Sequence, residues 1–256
     1  MNVADRPTLF ISDLHLDEDR PEVVELFYAF LNQRAMRAAA LYILGDFFEV
    51  WIGDDDDSPL ASTVIKQLRR LADRGVPVFL MVGNRDFLIG ERFAEMSRCR
   101  LLPEPSVIDL FGTPTLLLHG DSLCTDDREY QAFRKQVRGA EWRSGFLARS
   151  LQERSAAARE LRTASRRRSR DKPQAIMDVN NGAVIEALRT HGVYQLIHGH
   201  THRPAIHRLE VDGTSAQRIV LGDWNDTAQV LVCGANGNRL ETFGNRASVT
   251  PHSPVD

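Results

Sequence analysis

The chain has 256 residues, which is enough for one large domain or two small ones. Its composition is 43% hydrophobic and 26% charged, with 17 glycines and 11 prolines, which excludes collagen-like, wholly disordered and disulfide-scaffold classes. The formal net charge of −3 predicts no general affinity for nucleic acid, but it is unevenly distributed, since residues 128–172 carry +9 and the remainder −12.

Five short apolar runs predict strands that are buried on both faces. They are residues 8–12, 41–44, 78–82, 115–119 and 194–198. Between them, apolar residues recur at helical spacing, most clearly over 23–31 and 64–72. Alternating strands and helices predict an α/β fold with a largely parallel sheet in the first half of the chain.

This alternation stops between residues 125 and 173, where no run is typical of a strand. Apolar residues recur there at helical spacing: Tyr130, Phe133, Val137, Trp142, Phe146, Leu147 and Leu151. We predict a helical insertion in this region. The pattern alone leaves two interpretations open, a pair of solvated, salt-bridged surface helices or a segment that grips a substrate.

Near the C-terminus, Asp212-Gly213 and Asn236-Gly237 each lie between strand-like runs and predict hairpins, so antiparallel strands should complete the sheet. Residues 247–256 contain two prolines and little apolar surface, and we expect a flexible tail. The predicted organisation is therefore one core domain, residues 1–124 and 174–246, interrupted by the insertion at 125–173.

Cysteine usage and the absence of long apolar runs bear on the cellular compartment. Cys99, Cys124 and Cys233 are an odd number at wide spacing, which fits neither a disulfide framework nor a zinc site, so we expect small buried hydrophobic residues. No apolar run approaches the roughly 20 residues that span a bilayer, and the first residues lack a signal-peptide pattern. We therefore expect a cytoplasmic protein.

Potential metal ligands follow each of the five predicted strands. In chain order they are Asp13, His15, Asp46, Asn84, His119, His200 and His202. A glycine beside nearly every ligand would allow the backbone to turn sharply out of the strand. Because sites in open α/β sheets form outside the carboxyl ends of strands, we expect these side chains to converge.

These residue types indicate two metal ions with a shared carboxylate. Carboxylate oxygens and neutral imidazoles suit manganese, iron or zinc, and seven ligands exceed the needs of one ion. A single Asp or His at a strand end more often serves as a turn or packing residue, but the repetition at five strands favours a metal site. The acidic run Asp54–Asp57 predicts a solvated loop instead, and His191, His207 and His252 are interpreted as structural or surface residues.

The order Asp-x-His, Gly-Asp, Gly-Asn-Arg-Asp, His-Gly-Asp and Gly-His-Thr-His resembles the calcineurin-like metallophosphoesterase superfamily over roughly residues 8–243. Within it, GDFFEVWIGDDDD, VGNRDFLIG, HGDSLCTDDREYQ, MDVN, HGHTHRP and VLGDW are similar to the family of UDP-2,3-diacylglucosamine diphosphatases of lipid A biosynthesis. The resemblance implies a four-layer αββα sandwich of mixed sheets, with the helical insertion as a cap over the active site.

The resemblance also implies a reaction, the hydrolysis of UDP-2,3-diacylglucosamine to UMP and 2,3-diacylglucosamine 1-phosphate (lipid X). One of two manganese ions would be held by Asp13, His15, Asp46 and His202. The other would be held by Asp46, Asn84, His119 and His200, so that Asp46 bridges. Water activated by two cations would attack the α-phosphorus while the cations absorb charge on the phosphoryl oxygens.

The position after Asn84 departs from the wider superfamily. Many members have a histidine there, placed to protonate the leaving group, whereas this chain has Arg85, as the diacylglucosamine diphosphatases do. A guanidinium cannot act as a general acid at neutral pH, so we expect Arg85 to bind phosphate through paired donors. The alternative is a salt bridge from Arg85 to Asp86 or another nearby acid.

By the same resemblance, catalysis would rest on Asn84, Arg85 and His119. The implied substrate-binding residues are Asn84, Arg85, Asp127, Ser165, Ser169, Lys172 and His200. Ser169 is the weakest match, because the family often has Asn there. Lys172 could instead be one more cation on a basic helix.

Two acyl chains require an apolar groove, and Trp142, Phe146, Leu147 and Leu151 in the insertion could supply it. The basic run 166–170 would favour the anionic cytoplasmic face of the inner membrane, so we expect a peripheral, monomeric enzyme. In the alternative, these apolar residues pack against the α/β core. Rival functions are a broad cyclic phosphodiesterase or phosphoprotein phosphatase, and a nucleic-acid-binding scaffold without catalysis.

Overall fold

The computed structural model describes residues 6–171 and 178–244, except for the side chains of residues 166 and 168–171. The strands are β1 (Thr8–Ile11), β2 (Ala40–Leu44), β3 (Val78–Met81), β4 (Arg100–Leu101), β5 (Ser106–Leu110), β6 (Thr113–Leu117), β7 (Gln195–His198), β8 (Ala205–Val211), β9 (Thr214–Val220), β10 (Ala228–Gly234) and β11 (Gly237–Phe243). The α-helices are α1 (Pro21–Gln33), α2 (Pro59–Asp73), α3 (Glu91–Ser97), α4 (Arg128–Val137), α5 (Ala140–Leu147), α6 (Leu151–Asp171) and α7 (Asn181–His191). Two short 3-10 helices cover Ala35–Arg37 and Asp121–Leu123.

The strands form two mixed sheets rather than one. The first has the order β11-β10-β1-β2-β3-β4. In it, β1 to β4 run parallel to one another, and β10 runs antiparallel to both of its neighbours, β1 and β11. The second has the order β5-β6-β7-β9-β8, with β6, β7 and β9 parallel. The two predicted hairpins are present, but they belong to different sheets. The turn at Asn236-Gly237 connects β10 to β11 in the first sheet, and the turn at Asp212-Gly213 connects β8 to β9 in the second.

Alternating side chains place the two sheets face to face. Along β1, Leu9 and Ile11 pack with the residues of α1 and α2, whereas Phe10 packs with residues of both sheets. A separate apolar cluster joins the second sheet to α7 through residues such as Leu188 and Leu196. The layers are therefore helices, sheet, sheet and helix, which confirms the αββα architecture.

Buried strands read as continuous apolar runs because both faces of each strand are covered. The sequence located β1, β2, β3 and β7 to within one residue at each end, but β6 ends at Leu117, two residues before the predicted end. The three cysteines are buried, as expected.

Residues 128–171 form three consecutive helices, α4 to α6, called here the three-helix segment. Helical structure was predicted for this region, and its role as a cap stays a prediction. Among the described residues, no helix combines the length and apolar character needed to cross a membrane.

Candidate metal centre and adjoining cavity

The predicted ligands meet where the two sheets adjoin at one end of the sandwich. Asp13, Asp46 and Asn84 follow β1, β2 and β3 of the first sheet. His119 follows β6 of the second sheet, and the loop after β7 carries His200 and His202. The expectation of convergence at strand ends holds, with the strands drawn from two sheets.

The first group of ligand atoms comprises Asp13, His15 and His202, which lie within 4.8 Å of one another. His202 Nε2 lies 3.3 Å from Asp13 Oδ1 and 3.4 Å from His15 Nε2. Three donors of hard and borderline type at this spacing can surround one divalent cation.

The second group comprises Asp46, His119 and His200, again within 4.8 Å. Asn84 belongs beside it, because its Oδ1 lies 3.0 Å from His119 Nε2. Asp46 links the two groups: its Oδ1 lies 3.6 Å from His119 Nε2, and its Oδ2 lies 3.9 Å from His15 Nε2. One carboxylate oxygen thus faces each group, which is the arrangement that a bridging ligand requires.

Partners behind the imidazole rings leave the inward nitrogens free for a cation. His119 Nδ1 lies 2.9 Å from the carbonyl oxygen of Leu44, to which it can donate, so that Nε2 faces the site. His15 Nδ1 lies 2.7 Å from Glu49 Oε2. Such partners fix the ring orientation and the tautomer of metal-binding histidines.

Five of these residues have a backbone conformation that non-glycine residues rarely adopt. The φ angles of Asp13, His15, Asp46, His200 and His202 lie between 48° and 68°. Non-glycine residues are uncommon in this left-handed region, and such strain clusters at functional sites. The turn out of the strand is therefore made largely by the ligand residues themselves.

The neighbouring glycines serve mainly to leave space. A Cβ atom on Gly83 would overlap the Asp46 carboxylate, and one on Gly199 would overlap the carboxylate of Asp13. Neither glycine has a positive φ, so close approach is the reason for glycine at these two positions.

The carboxylates of the site favour the protonated form of two of its histidines. Burial opposes protonation of His119, but the surrounding carboxylates, Asp46 foremost, raise its pKa to about 9. His202 is likewise partly buried, yet its contacts with Asp13 and Asp223 raise its pKa to about 10. Burial and the adjacent His119 lower the pKa of His200 to about 4. This enclosed set of carboxylates and imidazoles attracts positive charge, and the donor set fits divalent cations.

Two further buried carboxylates hold the loops of the site. Asp86 accepts hydrogen bonds from the backbone N–H groups of Gly83 and Phe47, each at 2.7 Å. Asp121 accepts hydrogen bonds from the Tyr130 hydroxyl at 2.7 Å and from Arg134 Nε at 2.8 Å. The second set attaches α4 directly to the loop that carries His119.

An apolar cavity lies between the three-helix segment and the core, next to the second ligand group. Its apolar lining comprises Val50, Trp51, Phe87, Leu88, Phe133, Val137, Trp142, Phe146, Ala158, Leu161 and Ala164. Asn84, Arg85, Asp127 and Ser165 also line it, so four of the predicted substrate-binding residues share this cavity. Ligand cavities are typically apolar with a few convergent polar groups, which matches this lining.

A polar cleft adjoins the cavity on the metal side. It is lined by His15, Arg20, Asp46, Glu49, Asn84, Arg85, Arg162, His200, His202 and Asp223. Glu49, Asn84, Arg85 and Arg162 line both spaces and therefore form the boundary between them.

Arg85 lies at this boundary without the salt bridge considered as an alternative. Among the residues that the structure describes, no carboxylate lies within ion-pair distance of Arg85, and its buried Nε lacks a hydrogen-bond partner. Asp86 is occupied by backbone donors instead. A guanidinium in this state is available to a phosphate oxygen.

The predicted apolar groove is present in part. Trp142 and Phe146 stack with their centroids 4.9 Å apart and line the cavity, while Phe146 also belongs to the main core. These residues therefore line an apolar cavity and also pack against the core, and the binding of acyl chains there stays a prediction. Leu147 is 39% exposed and, like Leu151, does not line the cavity.

Other expected features need correction or lie outside the described residues. Asp54 does not lie in a wholly solvated loop, because it accepts hydrogen bonds from the backbone N–H groups of Gly90 and Phe93 at the start of α3. The side chain of Ser169, all of Lys172 and the predicted tail at 247–256 lie outside the described residues.

Sequence reasoning missed several residues that shape the site, above all Glu49 and Arg162. Glu49 follows Asp46 by three positions, and a carboxylate so close to a ligand is a signal that could have identified it. Arg162 is one of many arginines in a basic helix, and nothing in its sequence context distinguishes it.

A model of the calcineurin-like phosphoesterase family matches residues 6–204. The chain belongs to this family, whose fold implies a dinuclear metal centre, and it is a metal-dependent hydrolase. It is 50% identical over 236 residues to the UDP-2,3-diacylglucosamine hydrolase of Cellvibrio japonicus, covering 92% of this chain and 98% of that protein. It is 52% identical over 235 residues to the protein of the same name from Pseudomonas paraeruginosa, with the same coverage. Among solved structures, vacuolar protein sorting 29 from Cryptosporidium parvum matches with a TM-score of 0.49 at 14% identity, covering 96% of this chain and 95% of that chain.

Proposed function

We propose that the chain hydrolyses UDP-2,3-diacylglucosamine to UMP and 2,3-diacylglucosamine 1-phosphate. The observation that carries the proposal is the position of two ligand groups, linked by Asp46, at the mouth of an apolar cavity. A diphosphate that joins a nucleoside to a diacylated sugar needs both, a polar site for the diphosphate and an apolar space for acyl chains. The name shared by the relatives supports the same substrate.

Two manganese ions are the proposed cofactors. Asp13, His15, Asp46 and His202 would hold one ion, and the other would be held by Asp46, Asn84, His119 and His200. When bound, two such cations lower the pKa of water and neutralise charge on phosphoryl oxygens. The set of three oxygen and four imidazole donors, with no cysteine, suits manganese, iron or zinc, and manganese is the metal that the family resemblance implies.

The chain's own residues would orient the diphosphate across the boundary between the polar cleft and the apolar cavity. Arg85 would hold a phosphate oxygen with paired N–H donors. Asn84, in the same loop as Arg85, lies 3.0 Å from His119 Nε2, and these two side chains would keep the α-phosphorus beside Asp46. Because the leaving group is a sugar phosphate of low basicity, no protein acid is needed to protonate it.

The diacylglucosamine half would occupy the apolar cavity. Asp127, Ser165, Ser169, Lys172 and His200 are the proposed polar contacts to the sugar and phosphate oxygens. Asp127 already accepts a hydrogen bond from the Tyr130 backbone N–H at 3.1 Å, which fixes its position at the start of α4. The three-helix segment would then act as a cap whose apolar side faces the acyl chains.

The proposed place of action is the cytoplasmic face of the inner membrane, with the enzyme as a peripheral monomer. The excess positive charge of residues 128–172 supports this proposal, since each basic residue near an anionic bilayer contributes about 1 kcal/mol.

The test is hydrolysis of UDP-2,3-diacylglucosamine in detergent with the phosphorus products resolved, with and without manganese. Wild type should release UMP and lipid X only with metal, and His119→Ala should lose about 100-fold or more of the rate. The matched control is His207→Ala, which removes an exposed histidine of β8 and should keep full activity.

Two results would contradict parts of the proposal. Wild type that ignores this lipid but cleaves a generic phosphodiester with the same metal dependence would refute the substrate and leave the metal site. Activity that survives chelation with EDTA would refute the metal mechanism.

A further inference from the structure

Arg162 of α6 reaches across the polar cleft to two acidic residues of the core. Its Nη2 forms an ion pair with Glu49 Oε1, and its Nη1 lies 3.4 Å from Asp17 Oδ2. The side chains of Arg162 and Glu49 are only 23% and 11% exposed, so this contact is largely shielded from solvent. Ion pairs of this kind hold their geometry better than pairs on an open surface.

The second oxygen of the same carboxylate contacts a candidate metal ligand. Glu49 Oε2 lies 2.7 Å from His15 Nδ1, while the opposite ring nitrogen, His15 Nε2, faces Asp46 and His202. Glu49 is therefore held at one oxygen by the three-helix segment, and its other oxygen contacts a ring of the metal centre.

We propose that Arg162 is a positioning residue for the metal centre, which it reaches through Glu49 and His15. The inference rests on the proposed metal function. If Arg162 holds Glu49 in place, docking of α6 stabilises the ring orientation of His15 that binds metal. By linkage, metal bound at the first ligand group must stabilise the docked position of α6 to the same extent.

Through this coupling, the helix α6 would link substrate binding to metal binding. Arg162 lies at the boundary of the apolar cavity and the polar cleft, and α6 also contributes Ala158, Leu161 and Ser165 to the cavity lining. A ligand that presses α6 against the core would therefore also strengthen the metal site. Metal affinity would then depend on the docking of α6 as well as on the ligand residues themselves.

The experiment is calorimetric titration of the metal-free protein with manganese, without substrate. Glu49→Gln should weaken binding at one of the two sites by about 10–100-fold, the usual effect of losing a partner behind a metal-binding histidine. Arg162→Ala should weaken the same site by about tenfold, and Arg162→Lys should restore part of that loss. The double variant should be no weaker than Glu49→Gln, because both changes break one chain of contacts.

Two further variants on α6 separate this effect from general loosening of the helix. Arg159→Ala removes an exposed cation whose guanidinium donates to Ser155 Oγ on the same helix, and it should leave manganese affinity unchanged. Arg154→Ala removes the bonds to Ile52 O at 2.7 Å and to Asp55, which attach α6 to the core away from Glu49. It should increase amide hydrogen exchange in α6 and weaken manganese binding clearly less than Arg162→Ala does.

The outcomes are distinguishable from failure of the proposed function. If wild type binds no manganese, the metal function itself is refuted. If wild type binds two ions and Arg162→Ala binds both as tightly, the positioning role is refuted, and any loss of hydrolysis in that variant reflects direct contact with substrate. If Arg154→Ala weakens the metal site as much as Arg162→Ala, helix docking alone explains the effect and the path through Glu49 is wrong.

Discussion

The two buried carboxylate ligands are held by backbone N–H groups of neighbouring loops as well as by the strands that precede them. Asp13 accepts the backbone N–H of His200 at 2.9 Å, and Asp46 accepts that of Arg85 at 2.8 Å. These bonds join loops from different strands, so the carboxylates organise the site before any cation binds. The cost is a strained backbone at five ligands, of order 1–3 kcal/mol each, which the rest of the fold must offset.

The close approach of two loops makes Gly83 intolerant of even a methyl group. In Gly83→Ala the new Cβ would displace the Asp46 carboxylate, the ligand shared by both groups. We expect loss of manganese binding together with a loss of stability of about 1–3 kcal/mol from the forced shift. Calorimetric titration and thermal unfolding measure the two effects. Gly234→Ala is the control, because a Cβ there meets no atom within 4 Å, and equal behaviour of the two variants would contradict the prediction.

Metal binding should release protons at neutral pH. The pKa values of His119 and His202 are raised to about 9 and 10, so at pH 7.5 both rings are protonated in the metal-free protein. Only neutral imidazole binds a metal, so manganese affinity should rise as the pH increases from 6 towards 9 and level off near 10. The contribution of these protonated rings to the stability of the metal-free fold has the opposite pH dependence. It is fully present below the unfolded histidine pKa of about 6.5, and it is lost as the pH rises through the folded pKa values of about 9 and 10.

Titration of manganese in two buffers of different ionisation enthalpy counts the protons released. His119→Gln should release fewer protons than wild type, and His207→Gln should release the same number. Manganese affinity that is flat between pH 6 and 8 would show that these rings are already neutral before metal arrives.

At the scale of elements, the strand ends were the most predictable part of the molecule. Strands buried on both faces leave continuous apolar runs, and the polar residue that ends each run is a ligand here, as at Asp13 and Asp46. The division into two sheets was not predictable from these runs, because it depends on β5, whose residues are alternately exposed and partly buried, and on long-range pairing. The ion pair between Arg162 and Glu49 was also not predictable from the sequence, because these residues are 113 positions apart in the chain.

The helix α6 lines the apolar cavity through a small residue, which offers a test of acyl-chain binding. Ala158→Phe should fill part of the cavity and raise the KM for UDP-2,3-diacylglucosamine about tenfold or more, because the acyl chains lose contact area. Cleavage of a small phosphodiester should not change. Ala156→Phe places the same ring on the same helix outside the cavity lining and is the control. An unchanged KM in Ala158→Phe would place the acyl chains elsewhere.

At the scale of the whole molecule, charge is separated between the three-helix segment and the core. Residues 128–172 carry +9 against −12 elsewhere, so the molecule is polarised although its net charge is small. In the three-helix segment, exposed cations such as Arg159 and Arg167 accompany the exposed apolar side chains of Leu147 and Leu161. Basic charge beside exposed apolar groups is the combination that favours an anionic bilayer surface.

The orientation implied by this polarity predicts selective binding to anionic vesicles. Wild type should co-sediment with vesicles containing phosphatidylglycerol but not with neutral phosphatidylcholine vesicles, and raised salt should weaken binding because it screens surface charge. Reversing two charges in Arg159→Glu/Arg167→Glu should weaken binding about tenfold or more, at about 1 kcal/mol per basic residue removed and further repulsion from the acids introduced. Arg70→Glu/Arg74→Glu makes the same change in net charge at exposed positions in and beside α2. If both pairs weaken binding equally, net charge alone governs attachment and the three-helix segment has no special role. If only the first pair does, the segment faces the bilayer, and the apolar cavity beneath it lies where a lipid substrate would leave the membrane.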